Sequence, residues 1–210
     1  MYLDEMFVSI QGEGSETGQL CTFVRLFGCP FRCSYCDTKQ DPINKKRIHA
    51  EGIVRGVKAF KVKNVCITGG EPLIYKEELM PIVWELQHSG YNVSIETSGC
   101  IEIDYEPYLR SYKYIMDIKC PSSKMSTKNV YDNLLKLQAN DDLIFVIKDR
   151  EDYDFMKRVL MKYSTSAKIF ISPMFEDNKP VIASDIVDWM IEDMLQYKVQ
   201  IQLHKILQVR

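Results

Sequence analysis

The sequence predicts an α/β fold, a partial and open (β/α)6-type barrel formed by one domain of residues 1–210. Short runs rich in Val, Ile and Phe alternate along the chain with amphipathic helical runs. Repeated βα units with buried strands form a parallel sheet with right-handed crossovers. A closed eight-stranded barrel needs about 250 residues, so about six units in an open barrel fit this length better.

Seven runs are predicted to be strands because they are rich in β-branched and aromatic residues. They are Thr22–Phe27, Val62–Thr68, Asn92–Thr97, Tyr114–Lys119, Leu143–Lys148, Lys168–Pro173 and Val199–Leu207. Three runs are predicted to be helices because apolar residues recur at three- and four-residue spacing. They are Lys76–His88, Thr127–Gln138 and Asp185–Tyr197. Ligands of such folds bind at the carboxyl ends of the strands, and the motifs described below follow strands in this way.

Composition and charge exclude several classes of protein. The formal net charge is −2, and the cationic residues are scattered, so nucleic acid is not expected as a direct partner. The first residues resemble no secretory signal, and no apolar run is long enough to span a bilayer. Seven cysteines, an odd number, indicate reduced thiols rather than a disulfide framework. We therefore expect a soluble cytoplasmic protein.

The motif Cys29-Pro-Phe-Arg-Cys33-Ser-Tyr-Cys36 directly follows a predicted strand. Three thiolates in one loop bind soft iron well and leave the fourth iron of a cubane without a protein ligand. A structural zinc site is the alternative, but it needs four ligands, and the sequence has no second Cys-x-x-Cys pair. The motif therefore predicts a [4Fe–4S] cluster. The other cysteines are expected to be small buried residues near strands: Cys21, Cys66, Cys100 and Cys120.

A second motif, Thr68-Gly69-Gly70-Glu71-Pro72, ends a predicted strand and precedes a helix. Its small residues allow the backbone to approach a ligand closely, although a tight βα connection is an alternative interpretation. The carboxylate of Glu71 is a hydrogen-bond acceptor for an ammonium group such as that of a cluster-bound amino acid. The two motifs together therefore predict a cluster with an amino-acid cofactor.

The order of these motifs resembles the radical S-adenosylmethionine (SAM) superfamily. The finer resemblance is to the 7-carboxy-7-deazaguanine synthase family, and it covers nearly the whole chain. The matching segments are Ser9-Ile10-Gln11-Gly12-Glu13-Gly14, Phe23-Val24-Arg25-Leu26-Phe27-Gly28-Cys29, Cys36-Asp37-Thr38, Glu96-Thr97-Ser98-Gly99, Lys119-Cys120-Pro121-Ser122-Ser123 and Gln202-Leu203-His204-Lys205.

This resemblance implies a radical SAM barrel and a carbon–nitrogen lyase. The implied reaction converts 6-carboxy-5,6,7,8-tetrahydropterin to 7-carboxy-7-deazaguanine with loss of ammonia, on the way to queuosine-type bases. The reduced cluster would cleave SAM to a 5′-deoxyadenosyl radical, and SAM would act as a cofactor. The resemblance also implies Mg²⁺ and an electron donor such as flavodoxin or ferredoxin, and a homodimer is one assembly that it allows.

The resemblance assigns roles to individual residues. Cys29, Cys33 and Cys36 hold the cluster, and Thr38 contacts Mg²⁺, although capping of the next segment is an equally good interpretation of Thr38. The residues implied to contact SAM are Tyr35, Cys36, Asp37, Gly70, Glu71, Glu96, Ser98, Asp117, Ile118 and Lys119. The residues implied to contact the substrate are Ile10, Gln11, Gly12, Glu13, Arg25, Thr68, His204 and Arg210.

Several of these residues have a structural alternative. Arg25 suits a substrate carboxylate because a guanidinium binds it with two hydrogen bonds, but a nearby acid is another partner. Gln11 and Glu13 suit the polar edge of a pterin, and they also suit a polar hairpin turn. Asp117 and Lys119 suit a solvated strand end as well as a SAM site.

The last predicted strand has one polar face, because Gln200, Gln202 and His204 alternate with apolar residues. We expect this face to close the substrate site, with His204 and the carboxylate of Arg210 directed at the pterin. The alternative for Arg210 is that its own side chain pairs with an acid or that the segment frays.

Two rival functions share part of the pattern. A radical SAM activase of a glycyl-radical enzyme would use the same cluster and Gly-Gly-Glu-Pro loop, but has no need for Gln11-Gly12-Glu13-Gly14. A non-enzymatic Fe–S or zinc-binding module would bind metal without cleaving SAM. Product analysis with a tetrahydropterin excludes the first, and detection of 5′-deoxyadenosine excludes the second.

Overall fold

The computed structural model describes residues 1–38, 40, 42–43, 45–106, 108, 110–177 and 179–210. The strands are β1 Tyr2–Ile10, β2 Leu20–Leu26, β3 Lys46–Arg47, β4 Asn64–Gly69, β5 Asn92–Thr97, β6 Lys113–Ile118, β7 Asp142–Ile147, β8 Lys168–Pro173, β9 Phe175–Glu176, β10 Lys179–Pro180 and β11 Lys198–Val199. The α-helices are α1 Ala50–Phe60, α2 Lys76–His88, α3 Arg150–Lys162, α4 Ala183–Glu192 and α5 Leu203–Leu207.

Nine of these strands form one sheet in the order β11-β8-β7-β6-β5-β4-β2-β1-β3. The pairs from β2 to β11 are parallel, as βα units predict. At the other edge, β1 is antiparallel to β2 and β3, and the sequence analysis did not predict these two additional strands, β1 and β3. Parallel pairing of β2 with β4 places the starts of both strands at one end of the sheet, and the hairpin loop of residues 11–19 lies at that end.

The main core lies between the sheet and its helices. Strand residues such as Val24, Ile67, Ile95 and Phe145 are fully buried there against helix residues such as Leu86. A second, smaller cluster lies on the opposite face of the sheet: Ile115, Ile144, Val146, Phe170 and Met174. Because strand side chains alternate between faces, β6 and β7 contribute to both clusters, and the smaller one lines the inside of the barrel.

Most predicted elements are confirmed. The predicted strands Asn92–Thr97 and Lys168–Pro173 and the predicted helix Lys76–His88 match the observed bounds. The predicted helix Asp185–Tyr197 starts and ends earlier, as α4 Ala183–Glu192. The sequence analysis did not identify α1 or α3, which lie in the connections before β4 and between β7 and β8.

Two predicted elements are wrong. Thr127–Gln138 is not an α-helix but two 3-10 segments, Ser126–Lys128 and Tyr131–Lys136. Asn133 explains the second segment, since its buried amide is bonded to the backbone of Gly99, Ile101 and Ile103 and fixes an irregular turn.

The predicted strand Val199–Leu207 is also wrong, because β11 ends at Val199 and α5 begins at Leu203. The parallel pairing with β8 stops after Val199, and the chain then turns toward residues 11–14. Among the described residues, no helix combines the length and the apolar content that crossing a bilayer requires.

Candidate active site

A cavity of about 890 Å³ occupies the inside of the partial barrel. Its upper wall is formed by loops at the carboxyl ends of the parallel strands, among them the cysteine loop after β2 and the Gly-Gly loop after β4. Its floor includes the hairpin loop between β1 and β2, which enters from the amino ends of the parallel strands. The two groups of sequence motifs thus approach one space from opposite ends of the barrel.

The cysteine loop follows β2 and forms part of the cavity wall. All three thiols, of Cys29, Cys33 and Cys36, face this cavity, and Cys36 N donates to Cys33 O at 3.3 Å where the loop turns. Ser34 fastens the loop to the segment after β6, through bonds to the carbonyls of Ser122 and Ser123. Burial raises the pKa of Cys29 and Cys33, and the nearby Lys119 ammonium opposes this shift.

The Gly-Gly loop packs directly on the cysteine loop. A Cβ at Gly70 would lie 2.3 Å from Gly28 O and 2.5 Å from Cys29 Cβ, so only glycine permits this approach. Thr68 and Gly70 both line the cavity, as the sequence predicts.

The predicted role of the Glu71 side chain is corrected. Glu71 is fully buried, and its carboxylate accepts hydrogen bonds from Leu73 N, Thr97 Oγ1, Ser98 N and Ser98 Oγ. It does not line the cavity, because these four protein donors already hold both of its oxygens. Glu71 therefore ties the Gly-Gly loop to the end of β5.

The ends of β5 and β6 contribute four of the five predicted residues to the cavity: Glu96, Ser98, Asp117 and Lys119. Ile118 is the exception, since its side chain is fully buried in the main core on the other face of β6, which leaves only its backbone for the predicted contact with SAM. Lys119 Nζ lies 2.6 Å from Asp117 Oδ2, and this carboxylate raises the pKa of Lys119 although burial lowers it. The alternative of a solvated strand end does not hold for this pair, because both side chains are mostly buried.

The hairpin loop supplies the predicted residues Ile10, Gln11, Gly12 and Glu13 to the cavity floor. Gln11 Oε1 accepts from Gly12 N at 2.8 Å, and Gln11 Nε2 donates to Glu96 Oε1 at 3.2 Å. The loop is a polar hairpin turn and also a wall of the cavity, so both interpretations of the sequence are met. Gln11 thereby connects the floor to Glu96 near the carboxyl end of β5.

Glu13 is the most perturbed acid of the site. Burial raises its pKa to about 7, and the Glu96, Asp117 and Asp37 carboxylates add to the shift. A hydrogen bond from Gln202 Nε2 to Glu13 Oε1 acts in the opposite direction. Such a carboxylate changes its protonation state near neutral pH, which is a property of functional sites.

Arg25 lines the cavity, and it also has an acidic partner, which the sequence analysis gave as the alternative to a substrate carboxylate. Its Nε lies 3.1 Å from Glu5 Oε1, and its Nη1 donates to Thr38 Oγ1 at 3.2 Å. The guanidinium stands over the Phe7 ring at 5.6 Å. Arg25 and Thr38 both line the cavity.

The C-terminal segment closes one side of the cavity. His204 and Lys205 line it, and Lys205 Nζ lies 2.7 Å from Asp37 Oδ2, next to Cys36. Burial and the Lys205 ammonium lower the pKa of His204. A Cβ at Gly12 would lie 1.8 Å from His204 Nδ1, so the hairpin needs glycine where the imidazole packs on it.

Arg210 lies at the cavity rim on β1. Its main-chain O accepts from Ser9 Oγ at 2.5 Å, and its guanidinium pairs with Glu5 and stands over the Phe7 ring. The pairing of its side chain with an acid is the alternative that the sequence analysis kept open. Residues 200–210 thus run from the edge of β8 to β1, across the open side of the barrel.

The residues present fit an iron–sulfur cluster with SAM. Three soft thiol donors face one cavity, although no three His, Cys, Asp or Glu side chains of the described residues converge as a metal site. Tyr35 Oη and Asp117 Oδ1 are buried at this cavity without a hydrogen-bond partner among the described residues. Buried polar groups normally have partners, so these two atoms suit a polar ligand.

Comparison with known proteins identifies the family. The radical SAM superfamily model matches residues 24–122, which hold the cysteine loop, the Gly-Gly loop and the ends of β5 and β6. The 7-carboxy-7-deazaguanine synthase of Methanospirillum hungatei is 37% identical over 206 residues, 98% of this chain and 84% of that protein. The synthases of Koribacter versatilis and Thermoplasma acidophilum are 34% and 36% identical, over 98% and 99% of this chain and 96% and 97% of their own lengths.

This chain belongs to the 7-carboxy-7-deazaguanine synthase family. It is a radical SAM enzyme, with the [4Fe–4S] cluster and SAM that define the superfamily. The fold agrees, because the crystal structure of QueE from Escherichia coli superposes with a TM-score of 0.74, covering 96% of this chain and 93% of that one at 21% identity. The predicted partial barrel of the radical SAM type is therefore confirmed.

Some cavity residues of this 7-carboxy-7-deazaguanine synthase family member were not predicted as site residues. Lys205 lines the cavity from the C-terminal segment and was not predicted. Gln202 was expected only as part of the polar face that closes the site, and its bond to Glu13 was not predicted. The apolar inner wall was also missed: Ile115, Ile144, Val146, Met174 and Phe175. The sequence does carry a signal for the β6 and β7 members, since they alternate with core residues on their strands.

Proposed function

We propose that this chain converts 6-carboxy-5,6,7,8-tetrahydropterin to 7-carboxy-7-deazaguanine with loss of ammonia, as a radical SAM lyase. One observation carries the proposal: the cysteine loop, Gln11 and Glu13 face a single cavity of about 890 Å³. That volume lies toward the upper end of the range of about 300–1,000 Å³ that is typical of small-molecule sites. The whole chain of residues 1–210 would act as one domain.

The upper part of the cavity would hold the cofactors. Cys29, Cys33 and Cys36 would ligate the cluster, which with bound SAM supplies one-electron cleavage of the sulfonium bond when reduced. The residues beside these thiols that would hold SAM are Tyr35, Asp37, Gly70, Glu96, Ser98, Asp117 and Lys119. Tyr35 packs on the apolar inner wall and offers its unpartnered hydroxyl, while the wall excludes water from the reacting centre.

The floor would hold the pterin. Glu13 accepts hydrogen bonds from donor groups of the pterin ring, and the fixed Gln11 beside it limits the orientations that the ring can take. Arg25 binds the substrate carboxylate with the part of its guanidinium that Glu5 leaves free. Thr68 and His204 would contact the substrate from the walls, Ile10 and Gly12 from the floor, and Arg210 from the rim.

Thr38 would contact Mg²⁺ together with substrate oxygens. It stands at the cavity wall, and its hydroxyl oxygen is a hard ligand of the kind that Mg²⁺ prefers. Its bond to Arg25 places this oxygen next to the guanidinium that would bind the substrate carboxylate. A metal at Thr38 would therefore meet the same carboxylate.

Further partners remain proposals that rest on the chemistry of the site. The cluster needs a one-electron donor such as flavodoxin or ferredoxin, and a homodimer is the proposed assembly. The thiols of the cluster loop must stay reduced, which favours a cytoplasmic location. The activase and the non-enzymatic metal-binding module are not favoured, because the relatives that cover nearly the whole chain are named as synthases.

The test of the proposed function is an anaerobic assay of the reconstituted protein with SAM, dithionite, Mg²⁺ and 6-carboxytetrahydropterin. We expect 7-carboxy-7-deazaguanine and ammonia in equal amounts. Cleavage of SAM without any deazaguanine product would contradict the pterin assignment and leave the activase open. Absence of SAM cleavage in a protein with a full cluster would contradict the radical SAM chemistry itself.

A further inference from the structure

The hairpin floor is held by the segment that follows β11. Gln200 N donates to Ile171 O at 2.9 Å, which anchors this segment on β8, and Gly14 N donates to Gln200 Oε1 at 2.8 Å. Leu203 N donates to Gly12 O at 3.2 Å. The backbone on both sides of Gln202 is thus fixed, on one side to the barrel and on the other to the hairpin.

Gln202 is directed at Glu13 between these two anchors. It is 9% exposed, and its Nε2 donates to Glu13 Oε1. Gln11, on the other side of Glu13, uses its Oε1 for the hairpin backbone and its Nε2 for Glu96. Of these two side-chain amides, Gln202 is therefore the one whose N–H donates to the Glu13 carboxylate.

We propose that Gln202 is a positioning residue that holds the Glu13 carboxylate in the orientation in which it accepts hydrogen bonds from the pterin. The inference rests on the proposed function and extends it to a residue of the C-terminal segment. One oxygen of Glu13 is fixed by the amide, which leaves the other oxygen for the substrate. Gln202 acts through Glu13 and needs no contact with the reacting atoms.

The charges around Glu13 explain why such a donor is needed. The carboxylates that face it are Glu96 on β5, Asp117 on β6 and Asp37 in the cysteine loop, and all three disfavour its ionised form. Most cations that line the same cavity have acidic partners of their own: Arg25 and Arg210 pair with Glu5, Lys119 with Asp117 and Lys205 with Asp37. Arg32 instead donates to the carbonyls of Cys29 and Phe31 in the cysteine loop. His204 also lines the cavity, where burial lowers its pKa and disfavours the imidazolium.

Gln202 is thus a neutral group that favours the charged form of Glu13. Its loss raises the pKa of Glu13 further above 7, because burial and the three acids are then unopposed by this hydrogen bond. At neutral pH the protonated form then predominates, and a protonated carboxyl offers one acceptor fewer to the pterin.

The experiment compares Gln202→Leu and Gln202→Glu with wild-type enzyme in steady-state pterin turnover between pH 6 and 9. For Gln202→Leu at pH 7 we expect the KM of the pterin to rise about tenfold or more, as for the loss of one hydrogen bond to a charged group. The acidic limb of the kcat/KM profile should move to higher pH. Cluster content and SAM cleavage without pterin should stay at the wild-type level.

Gln202→Glu separates positioning from space filling. Glutamate has nearly the same shape, so a residue that only fills space tolerates it, whereas a second carboxylate next to Glu13 repels the first and makes turnover at pH 7 at least as poor as in Gln202→Leu. The matched control is Gln196→Leu, the same change at an exposed position, which should behave as wild type.

The outcomes are distinguishable from those of the proposed function. If wild-type enzyme turns over the pterin and both variants keep its KM and pH profile, the positioning role of Gln202 is overturned. If both variants lose the cluster or fail to fold, Gln202 is a structural residue, and the inference is overturned as well. If wild-type enzyme itself makes no deazaguanine, the proposed function has failed.

Discussion

Glu71 accepts two hydrogen bonds from Ser98, one from the backbone N–H at 2.8 Å and one from the hydroxyl at 2.6 Å. The pair joins the Gly-Gly loop after β4 to the end of β5, in a fully buried position. Thr97 Oγ1 and Leu73 N complete the set of donors. Glu71 is thus a structural acceptor that shapes the SAM end of the cavity without lining it.

We predict that Glu71→Gln destabilises the protein by about 3 kcal/mol, because the new NH2 group faces buried donors and leaves some of them without an acceptor. Urea unfolding of the variant measures this loss. Glu77→Gln, the same change at an exposed position of α2, should cost less than about 0.5 kcal/mol. A Glu71→Gln variant with wild-type stability and selectively weakened SAM binding would show that the carboxylate serves the cofactor directly.

We predict that Ala at Cys29, Cys33 or Cys36 abolishes the brown cluster chromophore, while Ala at Cys66 or Cys120 keeps it. Burial raises the pKa of the Cys66 and Cys120 thiols well above the usual range, so they stay protonated and are poor metal ligands. Ultraviolet–visible spectra and iron content after anaerobic reconstitution measure the cluster.

Two further cysteines extend the same control. Cys21 is buried, with a pKa raised to about 12, and Cys100 stands 3.8 Å from Glu71 Oε2, with a pKa that burial raises to about 11. Ala at either position should also keep the chromophore. Loss of cluster iron in any of these four controls would contradict the assignment of the ligands.

The sequence predicts the upper part of the site better than its floor. The motifs at Cys29, Gly70 and Ser98 follow parallel strands, and the carboxyl ends of such strands meet at one edge of the sheet. The hairpin at Gln11 does not follow this rule, because β1 is antiparallel to β2 and places the loop at the amino ends of the parallel strands. Only the family resemblance predicts that this loop belongs to the site. Local periodicity carries no information about that reversal.

The C-terminal segment shows why periodicity alone misleads. Gln200 and Gln202 do face inward, as an alternating strand predicts, and both are buried. Yet the partners of their side chains are the hairpin residues Gly14 and Glu13 rather than residues of a neighbouring strand. Contacts between residues nearly 190 positions apart decide this conformation, and a local pattern cannot encode them.

We predict that Glu13→Gln raises the melting temperature at pH 8 by clearly more than at pH 5. Burial raises the pKa of Glu13 from 4.5 to about 7. Between these values the folded state binds more protons than the unfolded state, so the free energy of unfolding falls as the pH rises through this window. The glutamine in Glu13→Gln does not titrate, so the free energy of unfolding of the variant does not fall in this way.

Differential scanning calorimetry at the two pH values measures the effect, with Glu77→Gln as the exposed control that should follow wild type at both. An equal shift of the melting temperature at pH 5 and pH 8 would mean that Glu13 does not titrate in this window. In that case its pKa would not be raised by the cavity.

We predict that pterin turnover depends on Mg²⁺ through Thr38. Removal of Mg²⁺ with a chelator should lower turnover several-fold in wild-type enzyme, because the substrate carboxylate then loses a cationic partner. Thr38→Ser should keep the metal response, and Thr38→Val should lose it while retaining the cluster. Unchanged turnover after chelation, or an unchanged metal response in Thr38→Val, would rule out this site.

The proposed coupling of a cofactor end and a substrate floor in one cavity can be measured as the ratio of 7-carboxy-7-deazaguanine formed to 5′-deoxyadenosine released. In wild-type enzyme we expect a ratio well above one, because SAM acts as a cofactor and the closed floor keeps the pterin in place. In Glu13→Ala the ratio should fall below one while SAM cleavage without pterin continues at the wild-type rate. An unchanged ratio in Glu13→Ala, or a wild-type enzyme that releases 5′-deoxyadenosine without any deazaguanine, would show that the two ends are not coupled in this way.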